Sequence, residues 1–112
     1  NMADAFARTT ASLGVTITST GTAAGNAAGA MVEALTAGTP LLHLTGQIET
    51  AYLDQDLAYI HEAPDQLGML TSISKAAFRV RSAETALGTV KLAVQIALTA
   101  PTGPVSVEIP ID

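Results

Sequence analysis

Residues 14–47 read GVTITSTGTAAGNAAGAMVEALTAGTPLLHLTGQ, and the fold is decided there. Val15 and Ile17 alternate with Thr16 and Thr18, the period of a strand over residues 14–19. Small residues come next at 21–26 and read as a turn. From that turn to Ala37 the spacing of Ala24, Ala27, Ala28, Met31 and Leu35 predicts a helix with one apolar face. Gly38 and Pro40 end it. Residues 40–45 are almost continuously apolar and open on a proline, which a strand tolerates at its first residue. Such a run predicts a central strand buried on both faces. A strand, a helix and a second strand in this order imply a right-handed parallel crossover. In sheets of that kind ligands gather outside the carboxyl ends of the strands. Two segments sit at such ends: residues 20–26, and Gly46-Gln47 with its long loop.

The same alternation extends in both directions. Residues 2–12 predict a helix stopped near Gly14. Residues 46–69 are a long stretch of mixed polarity, with a short helix after Pro64; a loop of this length in a small domain is usually functional. A short strand is expected at 76–80. Ser82 then caps a helix over 83–99 whose face is Ala86, Leu87, Val90, Ala93, Val94, Ala97 and Leu98. After a turn at 101–104, residues 105–109 alternate as the last strand. The expected fold class is α/β, a three-layer parallel sheet with helices on both faces, in one domain. Asn1 opens directly into helix-forming sequence and the last strand runs to Asp112, so both ends are expected to be cut from a longer polypeptide.

Composition excludes several classes. The chain has 112 residues, enough for one domain. Its hydrophobic fraction is 48% with aromatics at 4%, so the core is made of small and branched side chains. Mean hydropathy is +0.38, yet no apolar run is long enough to span a bilayer, and no membrane partner is expected. Net charge is −5 with five Lys and Arg, and no basic stripe exists to neutralise phosphates, so no nucleic acid is expected. Cysteine is absent, which rules out a disulfide framework or Cys-ligated zinc and fits a cytoplasmic protein.

Chemistry-bearing residues are few. The turn at 21–26 lies between a strand and a helix N-terminus, where backbone N–H groups can meet an anion or a polar ring edge; a tight turn that needs small residues accounts for it equally well. Ala23 breaks a GxGxxG pattern, and no Lys-Ser/Thr comes after it for a P-loop. His61 and Glu62, with Asp54, Asp56 and Asp65, could suggest a metal site, but the spacing is not HExxH and a solvated acidic loop is favoured, so no metal ligand is assigned. His43, inside an apolar strand, reads as a hydrogen-bonded core histidine. Arg79 and Arg81 read as surface charges.

Together these residues resemble a known group. Thr20-Gly21-Thr22-Ala23-Ala24-Gly25-Asn26 is similar to the Ser-Gly-Pro-Gly-x-x-Asn segment of the acetolactate synthase group of thiamine-diphosphate enzymes. Thr45-Gly46-Gln47 resembles that group's Thr-Gly-Gln, and Ser74-Lys75 its Thr-Lys. Met2-Ala3-Asp4-Ala5-Phe6-Ala7-Arg8 resembles its Met-Ala-Asp-Gly-Tyr-Ala-Arg helix, and residues 103–112 its Gly-Pro-Val-x-x-x-Ile-Pro-x-Asp ending. The matches keep their order and nearly span the chain.

The resemblance implies the later part of a pyrimidine-binding (PYR) domain, occupying 1–112, which holds the aminopyrimidine ring of thiamine diphosphate. Diphosphate and Mg2+ would bind another domain, usually on a neighbouring subunit, so a homodimer or homotetramer with the active site between subunits is implied. FAD stays open, since some relatives bind it. The substrate would be a small 2-oxo acid, decarboxylated with the cofactor storing the electrons left behind. The family glutamate that contacts the pyrimidine would fall upstream of Asn1. Gly21, Thr22, Ala23, Asn26 and Gln47 match cofactor-side positions. His61 lines up with an active-site glutamine and is the catalytic candidate, a titratable group in place of an amide. Thr22-Ala23 in place of Pro-Gly, and Glu49 in place of Pro, depart from the pattern. A non-catalytic nucleotide-binding or dimerising α/β module is the alternative.

Overall fold

In the computed structural model, which describes residues 2–112, four strands form one parallel sheet in the order β1-β2-β4-β3. The elements run along the chain as α1 (Met2–Thr10), β1 (Gly14–Thr18), α2 (Thr22–Ala37), β2 (Leu41–Gln47), α3 (Gln66–Ser72), β3 (Ala76–Arg79), α4 (Ala83–Leu98) and β4 (Pro104–Pro110), with one 3-10 turn at Thr50–Tyr52. Asn1 lies outside the described residues. The apolar run in β2 is central, as its composition predicts: it pairs with β1 on one side and β4 on the other, Leu42 opposite Val15 and Val105.

Alternation of Cβ direction along each strand sorts the sheet into two faces. One carries Leu42, Val105 and Val107, packed with Val80 under Ala93 and Ala97 of α4. On the other, Leu41 packs with Ala27, Met31 and Ala34 of α2 and with Leu70 and Ile73 from α3 and its end, while Ala3 of α1 touches the same cluster. Helices therefore cover both faces, and the expected three-layer architecture is present. Gly38 ends α2 with a left-handed φ of 67°, and Thr39 N–H donates back to Ala34 O at 2.8 Å. Asp65 starts α3 by accepting from Gly68 N–H at 2.8 Å, which explains the helix expected after Pro64. Lys75 Nζ donates to Ile96 O and Thr99 O, both at 2.7 Å, fastening the start of β3 to the end of α4.

The helical faces differ from the expected ones in detail. Ala34 is buried in α2 while Leu35 is exposed, and Leu87 and Leu98 of α4 are exposed. A single strip of each helix touches the sheet, and alanines fill it because the layers approach closely. In β1 the alternation has the expected period and the opposite sense: Val15 and Ile17 are 51% and 75% exposed while Thr16 and Thr18 are more covered. As an edge strand, β1 lies at the far side of the sheet from β3, and Thr18 turns toward polar partners, His43 and Thr45.

Those partners form a hydrogen-bonded core. His43 is fully buried, as expected, with Nε2 2.8 Å from Thr18 Oγ1 and Nδ1 3.2 Å from Ser106 Oγ. Ser106 Oγ also meets Ser74 Oγ at 2.8 Å. Burial pushes the His43 imidazole down from 6.5 to about 4. With the folded value below the unfolded one, the unfolded chain binds more protons between them, so this contribution is complete above about pH 6.5 and is lost as pH falls through about 4. The expected loss is roughly 3 kcal/mol between those limits. Urea unfolding across that range should show this slope, and His43→Asn should flatten it; an equal slope in both proteins would contradict the assignment.

Candidate cofactor site

The carboxyl ends of β1 and β2 lie side by side, and both expected segments are found there. A Cβ added to Gly46 would come 2.8 Å from Thr20 Oγ1, so glycine lets the two strand ends close together. Past β1 the chain enters α2 through Gly21, with φ 53° and ψ −92°, a conformation suited to glycine. Gly21 O accepts from Gly25 N–H at 2.8 Å, which starts the helix without a side-chain cap. The helix begins at Thr22, inside the turn expected over 21–26, because alanine-rich sequence continues readily as helix. Thr22, Gly25 and Asn26 are exposed on its first turns, Ala23 is half-buried, and a Cβ at Gly25 would meet nothing within 4 Å. The outer surface of this strand-to-helix junction is thus open, with the Thr22 hydroxyl and the Asn26 amide exposed on either side of Gly25.

Its inner surface is walled. A Cβ built on Gly21 would fall 1.8 Å from His61 O, so the loop after β2 returns to press its backbone against the turn. His61 itself has a left-handed φ of 63° and an exposed imidazole. The structure therefore brings Gly21 and His61 together, although they are 40 residues apart in sequence. Asp54, Asp56 and Ala58 in the same loop also have positive φ, so this stretch is held by its surroundings and not by local preference.

Gln47 is placed differently from a side chain that faces a ligand directly. It is 2% exposed; its Nε2 donates to Glu108 Oε2 at 3.2 Å and its Oε1 accepts from Ile48 N–H at 2.8 Å. It supports the floor of the site.

The acids of the loop have separate duties. Asp54 pairs with Arg79 at 2.9 Å, Glu62 Oε2 accepts from Tyr59 N–H at 2.7 Å, and Asp65 caps α3. Among the described residues no group of three or more His, Cys, Asp or Glu is arranged to hold a metal. Tyr52 and Tyr59 stack at 4.8 Å, and Tyr59 Oη donates to Glu49 Oε1 at 2.8 Å, which with burial pushes the phenol upward. Thr50 N–H and hydroxyl both reach Asp112 Oδ1 at 3.0 Å, holding that carboxyl below the usual range and tying the loop to the end of β4.

Two further residues shape the floor. Glu108, read as one step of a simple alternation, is fully buried and accepts from Gln47, from Gln66 at 2.9 Å and from Arg79. Arg79, expected at the surface, has a side chain only 10% exposed and bridges Glu108 to Asp54. Arg79 is covered because it and Glu108 are register partners on the two adjacent strands β3 and β4, so their side chains leave the same face of the sheet.

Known proteins share this chain's sequence pattern and fold. The family described as thiamine pyrophosphate enzyme, N-terminal TPP binding domain, matches residues 1–69. The acetolactate synthase large subunit of Haemophilus influenzae is 34% identical over 112 residues, covering 100% of this chain and 19% of that protein. A probable acetolactate synthase large subunit of Methanocaldococcus jannaschii is 32% identical over 110 residues, 98% of this chain and 18% of that protein. The chain therefore spans about a fifth of the length of the relatives it matches. A thiamine diphosphate-dependent 4-hydroxybenzoylformate decarboxylase of Rhodococcus jostii superposes with a TM-score of 0.87 at 25% identity, over 97% of this chain and 20% of that one. With the family matched across more than half its length, and with the strand-end turn and loop in place, the chain belongs to the N-terminal TPP-binding domain family of thiamine pyrophosphate enzymes.

Proposed function

We propose that the polypeptide carrying this chain is an acetolactate-synthase-like enzyme that decarboxylates a 2-oxo acid and transfers or releases the resulting unit. In it, this chain holds the aminopyrimidine of thiamine diphosphate. The observation that carries the proposal is the junction of β1 and α2 at residues 20–26, where His61 backs Gly21 and Thr22, Gly25 and Asn26 are exposed. A flat heteroaromatic ring with acceptor nitrogens and a donor amino group fits that surface. Thr22 and Asn26 each offer a donor and an acceptor at its rim, Gly21 and Ala23 shape the backbone, and Gly25 leaves room for close approach. Gln47 acts from below by keeping the end of β2 in place.

The bound cofactor supplies an electron sink for the decarboxylation. Diphosphate and Mg2+ are assigned to another domain, on a neighbouring subunit of a homodimer or homotetramer. FAD, where it binds, also belongs elsewhere. The chain's own part is to orient the ring, exclude water along the Gly21–His61 contact, and present the His61 imidazole from the loop, where it can give or take a proton. A cytoplasmic setting suits a chain without cysteine.

Isothermal titration of the full polypeptide with thiamine diphosphate and Mg2+ tests this, with saturable binding expected; no binding overturns it. His61→Ala is expected to lower kcat by about 10²-fold while affinity for the cofactor stays close to wild type. An unchanged kcat would remove His61 from the site.

A further inference from the structure

We propose that Gln66 is a positioning residue of this site: its side-chain amide, locked in one orientation by the Glu108 carboxylate and the Gly46 carbonyl, holds the Gly21 N–H and thereby sets the shape of the turn that opens α2 at residues 20–26. The proposal rests on that turn being the pyrimidine-holding element. Gln66 is 1% exposed, and every polar atom of its amide is used. Nε2 donates to Gly46 O at 3.0 Å and to Glu108 Oε2 at 2.9 Å, while Oε1 accepts from Gly21 N–H at 2.7 Å.

The orientation is forced. Rotating the amide by half a turn would set Oε1 against a carboxylate and a carbonyl, and Nε2 against an N–H, giving three repulsive contacts in place of three hydrogen bonds. Glu108 therefore dictates which end of Gln66 faces Gly21, and Gly21 receives an acceptor at a point where its own φ and ψ are unusual. The backbone of Gln66 is itself fixed, because Asp65 caps the helix it begins. One side chain thus joins β4, the end of β2, the start of α3 and the turn that opens α2. His61 O packs against Gly21 where a Cβ would stand, so Gly21 meets two groups supplied by the same return of the chain.

Two substitutions in the full polypeptide separate positioning from bulk packing. Gln66→Met keeps the volume and removes the acceptor. It is expected to weaken thiamine diphosphate binding about tenfold, with Mg2+ at saturation. It should also speed hydrogen exchange at the Gly21 amide, a readout that needs no ligand. Gln66→Glu keeps the shape. Protonated, its hydroxyl can donate to Glu108 while its other oxygen accepts from Gly21 N–H, at the expense of the Gly46 contact. Ionised, it sets two carboxylates against each other. Its cofactor affinity should therefore approach wild type near about pH 5 and fall about tenfold toward about pH 8, beyond any change in wild type. A structural filler would not create that pH dependence. Wild-type affinity with unchanged Gly21 exchange in Gln66→Met overturns the proposal, as does a wild-type pH profile in Gln66→Glu. If Gln66→Met does not fold, the Gln66→Glu profile decides. If wild type binds no thiamine diphosphate, the functional reading fails, and exchange at Gly21 alone decides whether Gln66 holds the turn.

Discussion

Gly21→Ala is expected to weaken thiamine diphosphate binding by about 100-fold while leaving the sheet folded. The added Cβ would stand 1.8 Å from His61 O and 2.9 Å from its carbonyl carbon, both backbone atoms that no rotamer change can move aside. The backbone at Gly21 would also have to leave φ 53°, ψ −92°, because an L side chain is strained there by about 1–3 kcal/mol. Either the turn or the loop must yield, and both form the site. Neither apolar cluster contains Gly21 or His61, so the damage should stay local. At 1.4 kcal/mol per tenfold, a cost near 3 kcal/mol falling on the binding-competent shape gives about the stated loss. Gly29→Ala is the control: its Cβ would meet nothing within 4 Å, it lies inside α2, and it should stabilise by about 0.5–1 kcal/mol without touching affinity. Calorimetric titration and thermal melts of both variants decide the matter; wild-type affinity in Gly21→Ala would mean that the turn is not the binding element.

The period of each element was legible in the sequence, and its sense often was not. The run at 40–45 could only be a central strand, and β2 is one. Alternation at 14–19 and at 105–109 marked strands correctly, yet its ordinary meaning of apolar inside and polar outside fails in both. In β4 all of residues 104–108 are buried, so Ser106 and Glu108 face a polar interior and not water. In β1 the valine and isoleucine are the outward residues. Which face of a strand is covered depends on its neighbours, and the order β1-β2-β4-β3 is a tertiary fact that no local pattern encodes. The site divides along the same line. Gly21, Thr22, Ala23 and Asn26 were visible because a strand end, small residues and a helix start succeed one another directly; they do sit together at that junction, although only Gly21 is in the turn and the other three already belong to α2. Gln66 and Glu108 stayed hidden because each looks like a surface residue until a partner 42 positions away is brought within 2.9 Å. Arg79 misleads for the same reason: a charge beside a strand end reads as solvated unless an acid waits on the next strand.

Arg79→Met should be among the most destabilising changes at the carboxyl end of the sheet, lowering folding stability by roughly 3–5 kcal/mol. Glu108 is fully buried, and two neutral amides cannot offset the desolvation of a carboxylate as a guanidinium does. Solvent access separates this pair from the helical pair Arg8–Asp4, where Arg8 is 47% exposed and loss should cost only about 0.5 kcal/mol. Changing both partners, Arg79→Met with Glu108→Gln, removes the stranded charge and leaves Gln47 and Gln66 an acceptor, so most of the stability should return; denaturant midpoints of the two singles and the double give the coupling directly. The other arm of Arg79 serves a different end. Asp54 is 70% exposed, and Asp54→Asn should change stability by no more than about 0.5 kcal/mol. Yet Asp54 is the first of four positive-φ residues in the loop that ends at His61, and Arg79 holds it through both carboxylate oxygens, at 3.1 and 2.9 Å. Loosening that hold should reach the Gly21–His61 wall. Asp54→Asn is therefore expected to lower cofactor affinity while the melting curve scarcely moves, whereas Arg79→Met lowers both. Equal losses of stability in the two variants would show that the buried arm carries no special share, and that the floor of the site is held by the amides alone.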